Sequence, residues 1–156
     1  MPNILAFINK CVPEIFGTMV GIQVSPGDGA DDAPRPSVLD GVTGSVSLTG
    51  KVDGVVYTAF SERLAMHVAE RILGAGCNGE SEVTDVVGEL TNMITGNLKS
   101  QLTDMGYNCQ LSIPTVMRGG HISVVAKDAP LSVRNTYSIA DLGETLTVQV
   151  FARIDK

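Results

Sequence analysis

EVTDVVGELTNMITGNLKSQLTDM, Glu82 to Met105, is the stretch on which the reading of this chain turns. On a wheel of 100° per residue, Val83, Val86, Val87, Leu90, Met93, Ile94, Leu98, Leu102 and Met105 recur at i, i+3, i+4 and i+7 and fill one broad stripe. The spacing predicts a long helix with that stripe in the core. Asp85, Glu89, Asn92, Gly96 and Lys99 follow one another at steps of four, three, four and three. They form a second stripe nearly opposite the first, with Glu89 and Asn92 one turn apart and pointing outward.

The residue types on this helix are unusual for their places. In a helix interior Gly costs about 1 kcal/mol relative to Ala and Asn somewhat less, yet the helix holds Gly88, Asn92, Gly96 and Asn97. A glycine on the same face as Glu89 and Asn92 removes the side chain that would keep another surface away. Two readings fit these residues: a partner-facing carboxylate and amide, or a solvated helix face on which Asn and Gly are incidental.

Outward from this helix, the N-terminal side reads as follows. Pro2 to Met19 is amphipathic at helical spacing through Leu5, Ile8, Val12, Ile15, Phe16 and Met19, and Pro13 predicts a kink or a break. Gly21 ends that helix and Ile22 to Val24 begins a short strand. Ser25 to Pro36, SPGDGADDAPRP, has the composition of a mobile surface loop. Its Asp28, Asp31 and Asp32 miss the spacing of a calcium loop. From Ser37 to Phe60 the apolar residues alternate around a turn at Lys51 to Gly54, which predicts a hairpin. Ser61 caps a helix whose Leu64, Ala65, Val68 and Ile72 face inward and which closes at Gly74. GAGCNG, Gly74 to Gly79, matches a dinucleotide-binding fingerprint only in form, because a helix and not a strand precedes it.

Beyond the long helix, Gln110 to Val116, His121 to Lys127, Val133 to Ile139 and Glu144 to Ile154 alternate as strands. Turns are expected at Gly119-Gly120, Asp128-Ala129-Pro130 and Asp141-Leu142-Gly143. Helices at one end and strands in runs give an α+β fold. With 156 residues, one domain over residues 1–156 is expected.

Seventeen acidic and 11 basic residues leave a net charge of -6, which argues against a nucleic-acid partner. No apolar run approaches the 18 to 20 residues of a membrane helix, and the start MPNILAFINKCVPE does not have the pattern of a secretory signal. Cys11, Cys77 and Cys109 support neither a disulfide framework nor a zinc ribbon, so a cytoplasmic location and buried or half-buried thiols are expected. His67 and His121 lie far apart in sequence and read as structural or surface residues. No motif for a hydrolase nucleophile, a zinc site or a phosphate-binding loop occurs, and no metal site is expected on this chain.

The run DVVGELTNMITGN, Asp85 to Asn97, resembles the signature helix of the CheC/CheX family of chemotaxis phosphatases, with its E-x-x-N pair at Glu89 and Asn92. The segments GVTGSVSLTGKVDGVVYTAF (Gly41 to Phe60), SERLAMHVAERILG (Ser61 to Gly74) and QLSIPTVMRG, with Ser112, Ile113 and Pro114, occur in that family's order. The resemblance implies a CheC-like fold: a mostly antiparallel sheet packed by two long helices, with a pseudo-two-fold internal repeat. It also implies hydrolysis of the aspartyl-phosphate of a CheY-type response regulator, which carries Mg²⁺ itself, so that no cofactor is bound by this chain. Asn92 would hold the attacking water in line, Glu89 would pair with a lysine of the regulator, and Gly96 would let the partner approach. Asp85, Gly96 and Lys99 flank the pair as docking residues. In the Ser61 helix Glu62 and Glu70 are followed three residues later by Ala65 and Leu73, so only one E-x-x-N pair is present. This places the chain on the CheX side, where a homodimer is implied. The competing reading is a non-catalytic module that binds a regulator or belongs to a flagellar switch, since the same fold family includes such proteins. A small-molecule binding protein has no convergent polar pocket in the sequence to support it.

Overall fold

Alternation and helical periodicity between them generate one sheet with helices on one face. The computed structural model describes residues 2–74 and 79–155. The order is α1 (Ile4–Ile15), a π-helical turn (Phe16–Val20), β1 (Ser25–Pro26), β2 (Ser37–Gly50), β3 (Val52–Phe60), α2 (Glu62–Leu73), α3 (Glu80–Asp104), β4 (Cys109–Leu111), β5 (Thr115–Val124), β6 (Leu131–Ile139) and β7 (Glu144–Ile154). The sheet is seven-stranded in the order β1-β6-β7-β3-β2, and β4 and β5 follow one another along the far edge of β2. Every named strand pair is antiparallel.

Strand register sorts the side chains. Val52, Val56 and Phe60 of β3 stand level with Ile154, Val150 and Leu146 of β7 and face the helices. They pack against Ile8 and Val12 of α1, Leu64 and Val68 of α2, and the apolar stripe of α3. The other face carries a smaller cluster of Leu39, Ala59, Val124 and Phe151, with Tyr57 edge-on to Phe151 at 6.3 Å between ring centroids.

Among the described residues three helices pack the sheet, not two long ones: α1 and α2 have 12 residues each and α3 has 25. The first helix stays α-helical through Pro13 to Ile15 and then widens into the π turn, which ends at Gly21 in the left-handed region. Ile15, Phe16 and Val20 are all buried across that junction, so packing outweighs the proline's missing donor. Ile22 and Val24 are buried but not in a strand; the short strand is Ser25–Pro26. In α2 the cap is Ser61, whose Oγ accepts from the Leu64 N–H at 3.1 Å, but Ile72 is 39% exposed and Ala69 takes its place in the core. Gly74 closes this helix with φ 68 and ψ -147, a positive-φ conformation though not the left-handed helical one. The rest of GAGCNG up to Gly79, including Cys77, lies outside the described residues.

The Ser25 to Pro36 segment is laid along the edge of β6 instead of being a free loop. Gly27, Ala30 and Ala33 N–H groups donate to the carbonyls of Thr136, Arg134 and Ser132, each at 2.8 Å, and Arg134 N–H returns a bond to Ala30 at 3.0 Å. The Asn135 amide donates to the Gly27 carbonyl at 3.1 Å and to Asn9 of α1 at 2.7 Å, which ties the segment to the first helix. Gly119-Gly120 is not a turn between two strands. β5 runs through it, and a register shift opposite Leu39 and Gly41 accommodates an extra residue. There the Asp40 carboxylate accepts from the His121 N–H at 2.6 Å, and His121 sits at φ 54.

Candidate functional site

The site is carried by α3, and what sets α3 in place is a close approach to β2. A Cβ added at Gly44 would overlap the Oγ1 and Cβ of Thr91, so only glycine lets the helix lie this near the sheet. Thr91 Oγ1 donates to the Val87 carbonyl at 2.8 Å and Thr95 Oγ1 to the Thr91 carbonyl at 2.7 Å, so both buried hydroxyls are satisfied within the helix. A second contact lies at Gly88, which is buried, where an added Cβ would be 3.4 Å from Val116 and 3.7 Å from Pro114. Gly88, Thr91 and Thr95 thus extend the buried arc of α3 beyond the apolar stripe. At the N-terminal end Arg118 of β5 clamps the helix pair, donating to both Glu62 carboxylate oxygens (2.9 and 3.2 Å) and to the Glu80 carbonyl.

The helix itself begins two residues before Glu82 and ends at Asp104, one residue short of Met105. Val83, Val86, Val87, Leu90, Ile94, Leu98 and Leu102 are buried as the stripe requires. Met93 is only half-buried, and Met105, the C-cap, is 49% exposed because the helix has already ended.

On the opposite arc Asp85 and Glu89 are exposed and Asn92, Gly96 and Lys99 are half-buried. Glu89 and Asn92 are therefore brought together one turn apart, about 4.5 Å along the axis. Among the described residues neither side chain has a hydrogen-bond or ion-pair partner. Gly96, one turn further, differs from Gly44 and Gly88: a Cβ there would meet nothing within 4 Å, so the fold does not require a glycine. Lys99 is set apart, half-buried in a groove of about 620 Å³ lined also by Thr49, Gly50, Thr103, Asn108, Cys109 and Gln110. Among the described residues no group of three His, Cys, Asp or Glu side chains could hold a metal ion, and no helix is long and apolar enough to cross a membrane.

Comparison with known proteins bears directly on this helix, because the family model for chemotaxis phosphatase CheX matches residues 42–134, from the hairpin through α3 and into β6. The chain belongs to the CheX family. A curated relative, CheY-P phosphatase CheX of Thermotoga maritima, is 29% identical over 94 residues, 56% of this chain; the match spans 61% of that relative, less than two thirds of its length. The structure of chemotaxis protein CheX from Desulfovibrio desulfuricans superposes with a TM-score of 0.84 at 24% identity, covering 96% of this chain and 99% of that one. The CheX-CheY-BeF₃-Mg²⁺ complex from Borrelia burgdorferi gives a TM-score of 0.76 at 19% identity over 97% of this chain and 98% of that one. The CheX-family fold of this chain is thus shared over nearly its whole length.

Sequence reasoning placed the free pair on the outward arc but missed the residues that carry it. Gly44 sits in an alternating strand pattern, and Thr91 and Thr95 look like surface residues by polarity. The available signal was three small or β-branched residues, Gly88, Thr91 and Thr95, at helical spacing between the two stripes.

Proposed function

We propose that this CheX-family chain hydrolyses the aspartyl-phosphate of a phosphorylated CheY-type response regulator in the cytoplasm, with Asn92 and Glu89 as its working residues. The observation that carries the reading is a carboxylate and an amide without partners among the described residues, one turn apart on a helix clamped near its start by Arg118 and set close to β2 at Gly44, beside a glycine that packing does not need. One curated relative is a CheY-P phosphatase, and one structural neighbour is a CheX-CheY complex, which supports the same partner class.

Phosphoryl transfer needs little covalent chemistry from a protein; in-line placement of water and stabilisation of charge dominate the barrier. The regulator supplies the phosphoryl group together with its own Mg²⁺. The Asn92 carbonyl oxygen accepts a hydrogen bond from the attacking water and its NH₂ group donates one to an oxygen near the phosphorus. Because an amide does not titrate, this positioning does not depend on pH. Glu89 pairs with a lysine of the regulator and fixes the register of the two surfaces. Asp85 and Gly96 border the contact, the first by charge and the second by leaving room for the partner's backbone. Lys99 lies at its far end.

The test is phosphate release from a Mg²⁺-loaded, phosphorylated CheY-type regulator with the wild-type protein, with its Asn92→Ala form and without either. Acceleration by the wild type, and a loss of about a hundredfold or more in Asn92→Ala at retained binding, is the expected result. No acceleration with any regulator of the same cell would replace the enzyme with a binding module.

A further inference from the structure

We propose that Ile113 is the apolar anchor by which the chain docks its phosphorylated response regulator; this rests on the reading of Asn92 and Glu89 given above. Ile113 is 84% exposed, the most exposed of the large hydrophobic side chains among the described residues. It sits in the short link between β4 and β5, which is held from both sides. Ser112 N–H donates to the Ser47 carbonyl at 3.0 Å, Ser47 N–H donates to Ser112 Oγ at 2.9 Å, and Ser112 Oγ donates to the Ile113 carbonyl at 3.0 Å. On the other side Pro114 lies against Gly88 of α3, where even an added Cβ would be in contact with it. The backbone that presents Ile113 is therefore fixed, and the side chain stands in water.

Its place relative to the site follows from helix geometry. Gly88 and Asn92 are four residues apart and so lie one above the other, within about 40° on the wheel. The Ser112 to Pro114 link consequently borders α3 on the Asn92 side of the outward arc. A partner that brings a phosphoryl group to Asn92 must lie over this turn of α3 and meets the link beside it. Binding energy in protein interfaces concentrates in a few well-placed anchors, and polar groups around an anchor work best where it excludes water. A fixed isoleucine next to a free amide and carboxylate has that arrangement. It also assigns the two residue classes different tasks: Ile113 contributes to association, whereas Asn92 contributes to the chemical step.

The experiment is steady-state phosphate release at graded concentrations of phosphorylated CheY-type regulator, with wild type, Ile113→Ser and Ile113→Val, and sedimentation of each protein alone. An exposed position should tolerate both changes, which thermal unfolding verifies. The expected result is a KM about tenfold higher for Ile113→Ser, equivalent to about 1.4 kcal/mol, with kcat unchanged and Ile113→Val close to wild type. An active wild type with the same KM in Ile113→Ser overturns the anchor and leaves the phosphatase reading standing. A fall in kcat without a rise in KM overturns it too, as does a change confined to the sedimented mass, which would make the residue a contact between copies of this chain. An inert wild type removes both readings together.

Discussion

Gly44 of β2 and Thr91 of α3 stand so close that a single added methyl group at Gly44 would overlap the threonine hydroxyl. The contact fixes the height of α3 above the sheet at the turn that carries Glu89 and Asn92. Replacing Gly44 by Ala should cost about 1 to 3 kcal/mol by overpacking. Thr91→Ala in the same chain should recover part of that loss, so a double-mutant cycle read by urea denaturation should give a coupling of about 0.5 kcal/mol or more. Strict additivity would show that the helix is positioned elsewhere.

Gly96 offers the opposite trade. Since a Cβ there meets nothing within 4 Å, Gly96→Ala should stabilise the protein by up to about 1 kcal/mol through helix propensity. The same change should raise the KM for the phosphorylated regulator several-fold. Thermal unfolding and phosphate release measured on one preparation would check both halves; a more stable variant with wild-type kinetics would mean that the glycine has no part in docking.

Glu89→Gln keeps the shape of the side chain and removes its charge. If Glu89 pairs with a lysine of the regulator, association should weaken about tenfold at low ionic strength, and the difference from wild type should shrink as salt screens the wild-type pair. The measurement is KM at 20, 100 and 300 mM salt (about a fourfold change in screening length from first to last). Parallel salt dependences for the two proteins would exclude the pair.

The alkaline side of the stability profile follows from two buried groups. Burial raises the Cys11 thiol from 9.0 to about 12 and raises the Tyr137 hydroxyl, which donates to Asn9 Oδ1 at 2.7 Å, above its ordinary 10.0. In the unfolded chain both lose their protons earlier, so the native state binds more protons at alkaline pH. Their contribution is fully present below about pH 9 and is lost as pH rises towards 12. Chemical denaturation between pH 8 and 11 should show stability falling by up to about 1.4 kcal/mol per pH unit for each group that titrates only in the unfolded chain. Cys11→Ala should flatten that slope, whatever it does to stability at pH 7.

Much of this was open to reading from residues alone, and the exceptions have a common cause. The apolar stripe of α3 and the outward pair Glu89 and Asn92 follow from a 3.6-residue period, which depends only on the local chain. Thr91 and Thr95 escaped because their hydroxyls are satisfied by carbonyls of their own helix, so polarity gave no hint of burial. Gly119-Gly120 looks the same in sequence whether it turns the chain or bulges within β5; the choice is made by Asp40 on the neighbouring strand. The nearness of Ile113 to the Asn92 side of α3 depends on Pro114 meeting Gly88 across 26 positions of sequence. None of these partners can be found without the tertiary fold.

The Ser25 to Ala33 segment, bonded along β6 at Ser132, Arg134 and Thr136, closes one side of the sheet with an irregular stretch rich in proline and glycine. On the opposite side no strand among the described residues pairs with the outer edge of β5. In the language of polymerisation, this is a monomer with one functional end already capped. Strand addition to another sheet is open along β5 and blocked along β6. On one of the two sides from which sheets lengthen into fibres, the chain carries its own stopper.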